Sequence, residues 1–210
     1  AHIMEHSTLC GSEKYPLKEP FVTLASTSLN TFLNALTYPD KTVYPGASLV
    51  RDDYFNMMDV YGDAVFFPKL DHATFIQEGH RLEMDDKGKL SIQGVVYNEM
   101  KGNYSSFSQV AFSEQINAMF PQSYPSFDSG GDPLEIPNLT YQGFLDFHQK
   151  FYNPDNCLLF LYGDIPTADQ LDFINERFIS RIEKKYNCIK DVENADSKLP
   201  LIKDEIKSLM

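Results

Sequence analysis

Two histidines and one glutamate near the start of the sequence have the residue types and spacing of a metal site. The chain begins Ala1-His-Ile-Met-Glu-His6, so that His2 and His6 are four residues apart. If this stretch is helical, both imidazoles lie on one face and can bind the same metal ion. The carboxylate of Glu5 can then reach a water molecule held there. The order H-x-x-E-H inverts the H-E-x-x-H zinc motif and predicts metal-assisted hydrolysis with Glu5 as the base.

A catalytic zinc ion takes three protein ligands, so a third must come from elsewhere in the chain. Glu99 is the best candidate, because it is an acidic residue within the apolar segment 94–102. A buried carboxylate needs a partner, and a metal ion is one; a buried salt bridge or an exposed helix face are the alternatives. Cys10, four residues after His6, is either a nearby ligand or a small packed residue at the helix end. The remaining histidines are predicted to be surface or supporting residues: His72, His80 and His148.

The composition is typical of a globular protein with an acidic surface. Of 210 residues, 42% are hydrophobic and 23% are charged, and 18 Lys and Arg against 30 Asp and Glu give a net charge of −12. This charge argues against nucleic acid or an anionic membrane as the main partner. The sequence also contains no run of about 18 apolar residues that would indicate a membrane helix. Cysteines at positions 10, 157 and 188 are too few and too widely spaced for a disulfide framework, which predicts a reducing compartment.

The elements that must position these residues follow from the spacing of apolar side chains and from turn residues. Helices are predicted at residues 1–10, 21–28, 51–67, 71–82, 94–120, 139–152 and 166–186, and strands at 29–37, 42–49, 90–92 and 156–162. The first two strands flank a Tyr-Pro-Asp-Lys turn, which indicates an antiparallel hairpin. Because helices and strands do not alternate strictly, the predicted fold class is α+β, an antiparallel sheet with helices packed on one face.

Four segments resemble, in the same order, one family of metallopeptidases. They are HIMEHSTLCGSEKYPLKEPF (2–21), TFLNALTYPDKTVYP (31–45), GVVYNEMKG (94–102) and SGGDPLEIPNLTYQGF (129–144). Together they closely resemble the presequence protease and falcilysin branch of the pitrilysin/insulinase zinc metallopeptidases. The resemblance implies the fold of the pitrilysin and mitochondrial processing peptidase domains. It also implies that residues 1–190 are a catalytic domain that lacks its first strands and that residues 191–210 are a linker towards a following domain.

The resemblance further implies roles for individual residues. His2, His6 and Glu99 match the ligands of one Zn²⁺ per catalytic domain, and Glu5 matches the general base. Asn34 and Ala35 match the edge strand that, in the family, pairs with a peptide substrate. Such pairing is physically reasonable, because an exposed strand edge offers backbone N–H and C=O groups to any extended chain. The expected partners are therefore extended peptides and the remaining domains of the same parent chain, with no nucleic acid and no membrane. The expected location is a bacterial cytoplasm or, alternatively, a mitochondrial matrix or another organelle.

Departures from the family pattern keep other functions open. Many relatives carry a second acidic residue seven positions before the distal ligand, where this chain has Ile92, so that carboxylate is absent or comes from another residue. The strands before the zinc helix and the second half of the family fold are not in the sequence. We therefore expect a piece of a longer protein, inactive or nearly inactive in isolation. The alternatives are a non-catalytic scaffold and a zinc lyase of the S-ribosylhomocysteine lyase fold, whose third ligand is a cysteine.

Overall fold

The computed structural model describes residues 1–186, which fall into two compact units. The first unit is Ala1–Lys150, and the second begins at Phe151. The sequence predicts one catalytic domain over residues 1–190, and the first residue of each unit falls inside that range. Cys188 and the linker predicted at residues 191–210 lie outside the described residues.

Helices make up most of the secondary structure in the described chain. They are α1 (His2–Thr8), α2 (Pro20–Thr27), α3 (Arg51–Phe66), α4 (His72–Glu78), α5 (Val95–Asn103), α6 (Phe107–Met119), α7 (Tyr141–Phe151), α8 (Thr167–Ile174) and α9 (Ser180–Tyr186). Short 3-10 turns lie at Tyr124–Ser126, Ile136–Asn138 and Pro154–Asn156. The strands are β1 (Asn30–Leu33), β2 (Leu36–Thr37), β3 (Thr42–Val43), β4 (Gly46–Ser48), β5 (Arg81–Met84) and β6 (Leu90–Gln93). None of the described helices has the length and apolar character needed to cross a membrane.

The strands pair in antiparallel fashion within the first unit. β1 pairs with β4 and β2 pairs with β3, so the predicted hairpin is confirmed, although a gap at Asn34 and Ala35 divides its first arm into two strands. β5 pairs with β6, with Leu82 opposite Ile92. The α+β class is confirmed, and the described strands form three two-stranded sheets in place of the one sheet expected.

The long helix predicted at residues 94–120 is two helices, α5 and α6, separated by a short turn. In this turn the amides of Ser105 and Ser106 donate to the carbonyls of Gly102 and Asn103. The hydroxyl of Ser105 also donates to the Gly102 carbonyl, at 2.6 Å. Glycine, asparagine and serine are weaker helix formers than alanine or leucine, and local hydrogen bonds from serine compete with the helical ladder. The apolar periodicity of the two helices hid this break.

A close contact between two glycines sets α4 beside α5. The helix predicted at residues 71–82 ends at Glu78, and the chain continues through Gly79 into β5. A Cβ on Gly94, the residue before α5, would lie 2.0 Å from the Gly79 carbonyl oxygen. Only glycine permits this approach of the two backbones. The contact brings the end of α4, which carries Glu78, next to the helix that carries Glu99.

The core of the first unit forms around α1. Ile3 and Met4 of this helix are buried, and α4, α5 and β2 pack against it. The other buried apolar side chains are Met57, Tyr61 and Ala64 of α3, Phe67 just after it, Phe75 of α4, Val96 and Met100 of α5, Ile136, and Phe144 of α7. Because α1 is held on several sides, its two histidines are presented by a rigid element.

The described part of the second unit, residues 151–186, consists mainly of one helical segment. The helix predicted at residues 166–186 is confirmed as α8 and α9, joined by a π-helical stretch at Asn175–Ile179. Phe178 and Ile182 are buried on this segment. A single π-helical insertion of this kind shifts the helix face without ending the helix, so the apolar side chains on either side of it can still be buried.

The strand predicted at residues 156–162 is wrong. Residues 157–162 pair with no other described strand, and Leu158 and Phe160 are 93% and 81% exposed. A strand needs a neighbour to satisfy its backbone hydrogen bonds. The described part of the second unit contains no other strand, so the apolar run has nothing to pair with there.

Candidate metal centre

Helix α1 presents His2 and His6 toward a carboxylate on α5. The two imidazole rings lie edge to face, with centroids 4.9 Å apart, as expected for residues separated by one helical turn. Nε2 of His2 is 3.6 Å and Nε2 of His6 is 3.9 Å from the same Oε2 atom of Glu99. The fold therefore brings together the three residues predicted as ligands, from two distant parts of the sequence.

These three residues have the ligand types of a zinc site and come close to its dimensions. One ligand atom from each lies within 4.8 Å of the others, whereas the donors of a tetrahedral zinc site lie about 3.3 Å apart, given bonds of roughly 2.0–2.1 Å. The side chain of Glu99 is 48% exposed, so its rotamer can adjust to close the set. Two histidines and a glutamate leave a fourth position for water, as catalytic zinc sites do. Residues 1–186 hold no other cluster of this kind.

Nδ1 of His6, the outer ring nitrogen that does not face Glu99, contacts a buried carboxylate on α4. Nδ1 of His6 lies 3.3 Å from Oε2 of Glu78, and Oε1 of Glu78 accepts a hydrogen bond from Gln77 at 2.9 Å. Burial opposes the charged form of His6, but the hydrogen bond to Glu78 and the nearby carboxylates outweigh it, so the pKa of His6 is raised. Burial likewise opposes the charge of Glu78, but hydrogen bonds from His6 and Gln77 outweigh it, and the pKa of Glu78 is lowered.

The outer nitrogen of His2 contacts a backbone carbonyl in a loop. Nδ1 of His2 lies 3.0 Å from the carbonyl oxygen of Gly130. Asp128 shapes this loop, because its carboxylate accepts from the Gly130 amide at 2.9 Å and from the Tyr104 hydroxyl at 3.0 Å. Burial, together with Asp128, raises the pKa of Tyr104 to about 12. A Cβ on Gly130 would lie 2.4 Å from the sulfur of Met100, so this loop packs tightly on α5.

Glu5, the predicted base, is buried on the same helix and held from the hairpin. It is 7% exposed, and the hydroxyl of Thr37 in β2 donates to its Oε2 atom at 2.5 Å. This hydrogen bond ties β2 to α1. It fixes one oxygen of the carboxylate, and therefore the direction of the side chain, through an element that lies far from Glu5 in the sequence.

Asn34 and Ala35 lie in the gap between β1 and β2 and not inside a strand. The N–H of Asn34 donates to the Pro45 carbonyl at 3.1 Å, and the Asn34 carbonyl accepts from the Tyr61 hydroxyl at 2.9 Å. The N–H of Ala35 donates to the Asn34 side chain at 2.9 Å. Internal hydrogen bonds therefore hold this backbone in place next to β2. The role of these two residues toward a peptide stays a prediction.

Cys10 is not a member of the cluster. Its thiol donates to the His6 carbonyl at 3.4 Å and lies against Glu78. Burial, followed by the charge of Glu78, raises the pKa of Cys10 to about 12. A thiol binds metal as the thiolate, so this environment opposes coordination. The geometry favours Glu99 over a cysteine as the third ligand.

Two of the other histidines in the described chain, His72 and His80, pack against aromatic side chains. The rings of His72 and His80 both contact Phe75, and His72 also contacts Tyr141. Nε2 of His80 lies 3.0 Å from the carbonyl of Leu139, and His148 is on α7. The contacts of His72 connect α4 with α7. The surface or supporting role of His72, His80 and His148 stays a prediction.

Three residues that contact the predicted set were missed in the sequence: Glu78, Thr37 and Gly130. The isoleucine at position 92 did indicate that a supporting carboxylate had to come from another residue, but nothing in the sequence pointed to α4. Gly130 lies in one of the four family-like segments, which was the available signal for it. Thr37 also lies in such a segment, but its contact with Glu5 depends on where the hairpin packs.

An α+β domain whose H-x-x-E-H helix faces a distant glutamate defines a class, that of the inverted zinc-peptidase motif. The family description that matches residues 1–109 is insulinase (peptidase family M16), and a second one, the peptidase M16 inactive domain, matches residues 138–208. The chain belongs to the insulinase family, peptidase family M16, in its presequence protease branch.

Proteins of bacteria and of eukaryotic organelles are similar in sequence to this chain. The chain is 50% identical over 187 residues to protein HypA of Clostridium perfringens. The aligned region covers 88% of this chain and 19% of that protein. It is 50% identical over 178 residues to presequence protease 1, chloroplastic/mitochondrial, of Arabidopsis thaliana. This aligned region covers 83% of this chain and 16% of that protein. The chain therefore spans about a fifth or less of the length of these curated relatives.

Solved structures confirm the fold. The crystal structure of pitrilysin matches with a TM-score of 0.64 at 21% identity, over 87% of this chain and 18% of pitrilysin. The first half of the periplasmic protease PqqL from Escherichia coli matches with a TM-score of 0.63 at 17% identity, over 84% of this chain and 36% of that one. At these identities the agreement concerns the fold alone.

Proposed function

We propose that this chain carries the catalytic site of a zinc metalloendopeptidase that degrades short, unstructured peptides. The observation that carries the proposal is the approach of three ligand atoms, from His2, His6 and Glu99, beside a buried Glu5 on the same helix. Membership of a peptidase family supports the reaction class. A zinc ion held by these residues would act as a Lewis acid and lower the pKa of a bound water molecule toward neutrality.

Glu5 is the proposed proton carrier. As general base it takes a proton from the attacking water, and as general acid it returns that proton to the amine that leaves the cleaved peptide bond. The Thr37 hydroxyl holds Oε2 of Glu5, so we assign proton transfer to Oε1.

Extended peptides are the proposed substrates. Because internal hydrogen bonds already occupy the N–H groups of Asn34 and Ala35, a peptide would add beside them along β2, and β2 contacts α1 through Thr37 and Glu5. Pairing of this type uses backbone groups and therefore needs a free extended segment, which a folded protein does not offer. The presequence proteases among the relatives agree in name with a peptide substrate.

The complete activity is proposed to require other parts of a parent chain, because the sequence spans about a fifth or less of the relatives' length. We expect the 210-residue chain alone to be inactive or nearly so. Peptide cleavage by that chain alone would contradict this expectation. The relatives include bacterial proteins and proteases of mitochondria and chloroplasts, so a bacterial cytoplasm and an organelle both stay proposed locations.

Replacement of Glu5 by glutamine in the full-length protein tests the proposal. The variant Glu5→Gln keeps the ligands and should bind zinc in unchanged amount, while turnover of a fluorogenic peptide falls by about 10²–10⁴-fold, the range for loss of a general base. The matched control is Glu114→Gln, at an exposed position on α6, which should leave both quantities unchanged. Normal turnover by Glu5→Gln would contradict the assignment. Zinc binding without any cleavage by the unaltered protein would favour the scaffold.

A further inference from the structure

Glu78 is a buried carboxylate that contacts the proposed metal centre without belonging to the ligand set. It is the last residue of α4, faces α1, and is 5% exposed. Its Oε2 atom lies 3.3 Å from Nδ1 of His6, and its Oε1 atom accepts from Gln77 at 2.9 Å. The thiol of Cys10 also lies against it. Both carboxylate oxygens are therefore committed to side chains of α1 and α4.

A buried carboxylate is unfavourable unless positive charge or several hydrogen bonds compensate it. Among the described residues, the ion pair found for Glu78 is with His6, and no lysine or arginine pairs with it. His6 is therefore the side chain that compensates the buried Glu78, through the contact at Nδ1. Nε2 is the nitrogen that faces Glu99, at 3.9 Å, so a metal ion there would complete a line of carboxylate, imidazole and metal.

We infer that Glu78 is a positioning residue for His6. By accepting a hydrogen bond from the N–H group at Nδ1, Glu78 fixes the tautomer whose Nε2 is free to bind the metal. The same hydrogen bond holds the plane of the ring and makes the imidazole a stronger ligand. The inference rests on the proposed function, since it concerns the same metal site. It also explains how this chain manages with isoleucine at position 92, where Ile92 pairs with Leu82 and α4 supplies the carboxylate instead.

The competing explanation is that Glu78 only ties α4 to α1. Removal of a purely structural contact lowers the stability of the fold and leaves the metal affinity of the folded protein unchanged. Removal of a positioning contact lowers the metal affinity and changes the coordination geometry while the protein stays folded. The two explanations therefore differ in quantities that can be measured without any peptide substrate.

The test uses Glu78→Ala, Glu78→Gln and Glu78→Asp in the full-length protein. Zinc affinity is measured by competition with a chromophoric chelator, the ligand field by the visible spectrum of the Co²⁺ form, and folding by thermal denaturation. We expect Glu78→Ala to weaken zinc binding by about 10–100-fold, the range for groups that hold a metal ligand, and to shift the Co²⁺ bands. Glu78→Gln keeps an acceptor without the charge and should lose less, and Glu78→Asp should recover part of the affinity.

The matched control is Asp53→Asn, because Asp53 is comparably buried on α3 and accepts a hydrogen bond from the Leu29 amide, away from the cluster. It should change thermal stability and leave zinc affinity and the Co²⁺ spectrum as they are. Wild-type zinc affinity and an unchanged Co²⁺ spectrum in folded Glu78→Ala would overturn the inference while leaving the proposed function intact. Failure of the unaltered protein to bind zinc at all would overturn both.

Discussion

His2 and His6 are the same residue type on the same face of one helix, but the fold supports them differently. His6 contacts the carboxylate of Glu78, at the end of a helix. His2 contacts the carbonyl of Gly130, in a loop that Asp128 shapes. The first support carries a full negative charge on a regular element, whereas the second is a neutral dipole on an irregular one.

The difference teaches how one helix can hold two candidate ligands with unequal support. A carboxylate on the outer nitrogen strengthens the imidazole as a ligand through charge, while a carbonyl mainly fixes its tautomer and orientation. We therefore expect the Glu78 side to dominate the metal affinity and the Gly130 side to adjust the geometry. Three further changes, from the largest expected effect to the smallest, can break or sharpen this comparison.

The largest effect is expected for Glu99→Ala, which removes the carboxylate that both histidines face. Loss of a ligand should weaken zinc binding by more than the roughly 100-fold upper range for supporting groups, whichever histidine is better held. Since the Glu99 side chain is 48% exposed, the free energy of unfolding of the metal-free protein should change by less than about 0.5 kcal/mol. Chelator competition and denaturant unfolding measure the two quantities, with Glu83→Ala on β5 as the exposed control. Zinc affinity within tenfold of the wild type would show that Glu99 is not a ligand.

An intermediate effect is expected for Asp128→Ala, which frees the loop that supports His2. The variant removes the hydrogen bonds from the Gly130 amide and the Tyr104 hydroxyl but leaves the Gly130 carbonyl in the chain. Zinc affinity should therefore fall by less than about tenfold, the lower end of the range for supporting groups. Chelator competition would measure the loss, with Asp155→Ala as the exposed control. A loss as large as that of Glu78→Ala would mean that the two supports are equivalent.

The smallest effect is expected for Asp71→Ala, at the start of the helix that carries Glu78. Asp71 caps α4 by accepting from the Thr74 amide at 2.7 Å, and loss of such a cap costs about 1 kcal/mol of stability. The hydrogen bond from Thr74 lowers the pKa of Asp71 below its usual value of 3.8. Its contribution is therefore present above pH 3.8 and is lost as the pH falls through the lower, folded-state pKa. Denaturant unfolding at pH 7 and near pH 3 should show the difference between variant and wild type shrinking on acidification, with no change in zinc affinity at pH 7.

Regular amphipathic segments could be predicted from the sequence alone. The helix at residues 51–67 and the hairpin both appear where the apolar spacing and turn residues place them. Errors occurred where a local signal depended on a partner. Residues 157–162 have the composition of a strand but no described strand beside them, and α5 and α6 share an apolar pattern that hides the serine turn between them.

By itself the sequence determined which residue types are available to the proposed metal centre. The spacing of His2, Glu5 and His6 requires only one helical turn, and residue types alone limit what such a turn can bind. The approach of Glu99 to within 3.9 Å of both imidazoles and the unequal supports of the two histidines were decided by the tertiary structure. These contacts depend on the backbone approach of Gly79 and Gly94 and on the packing of a distant loop, and no local spacing rule encodes contacts between such separate elements.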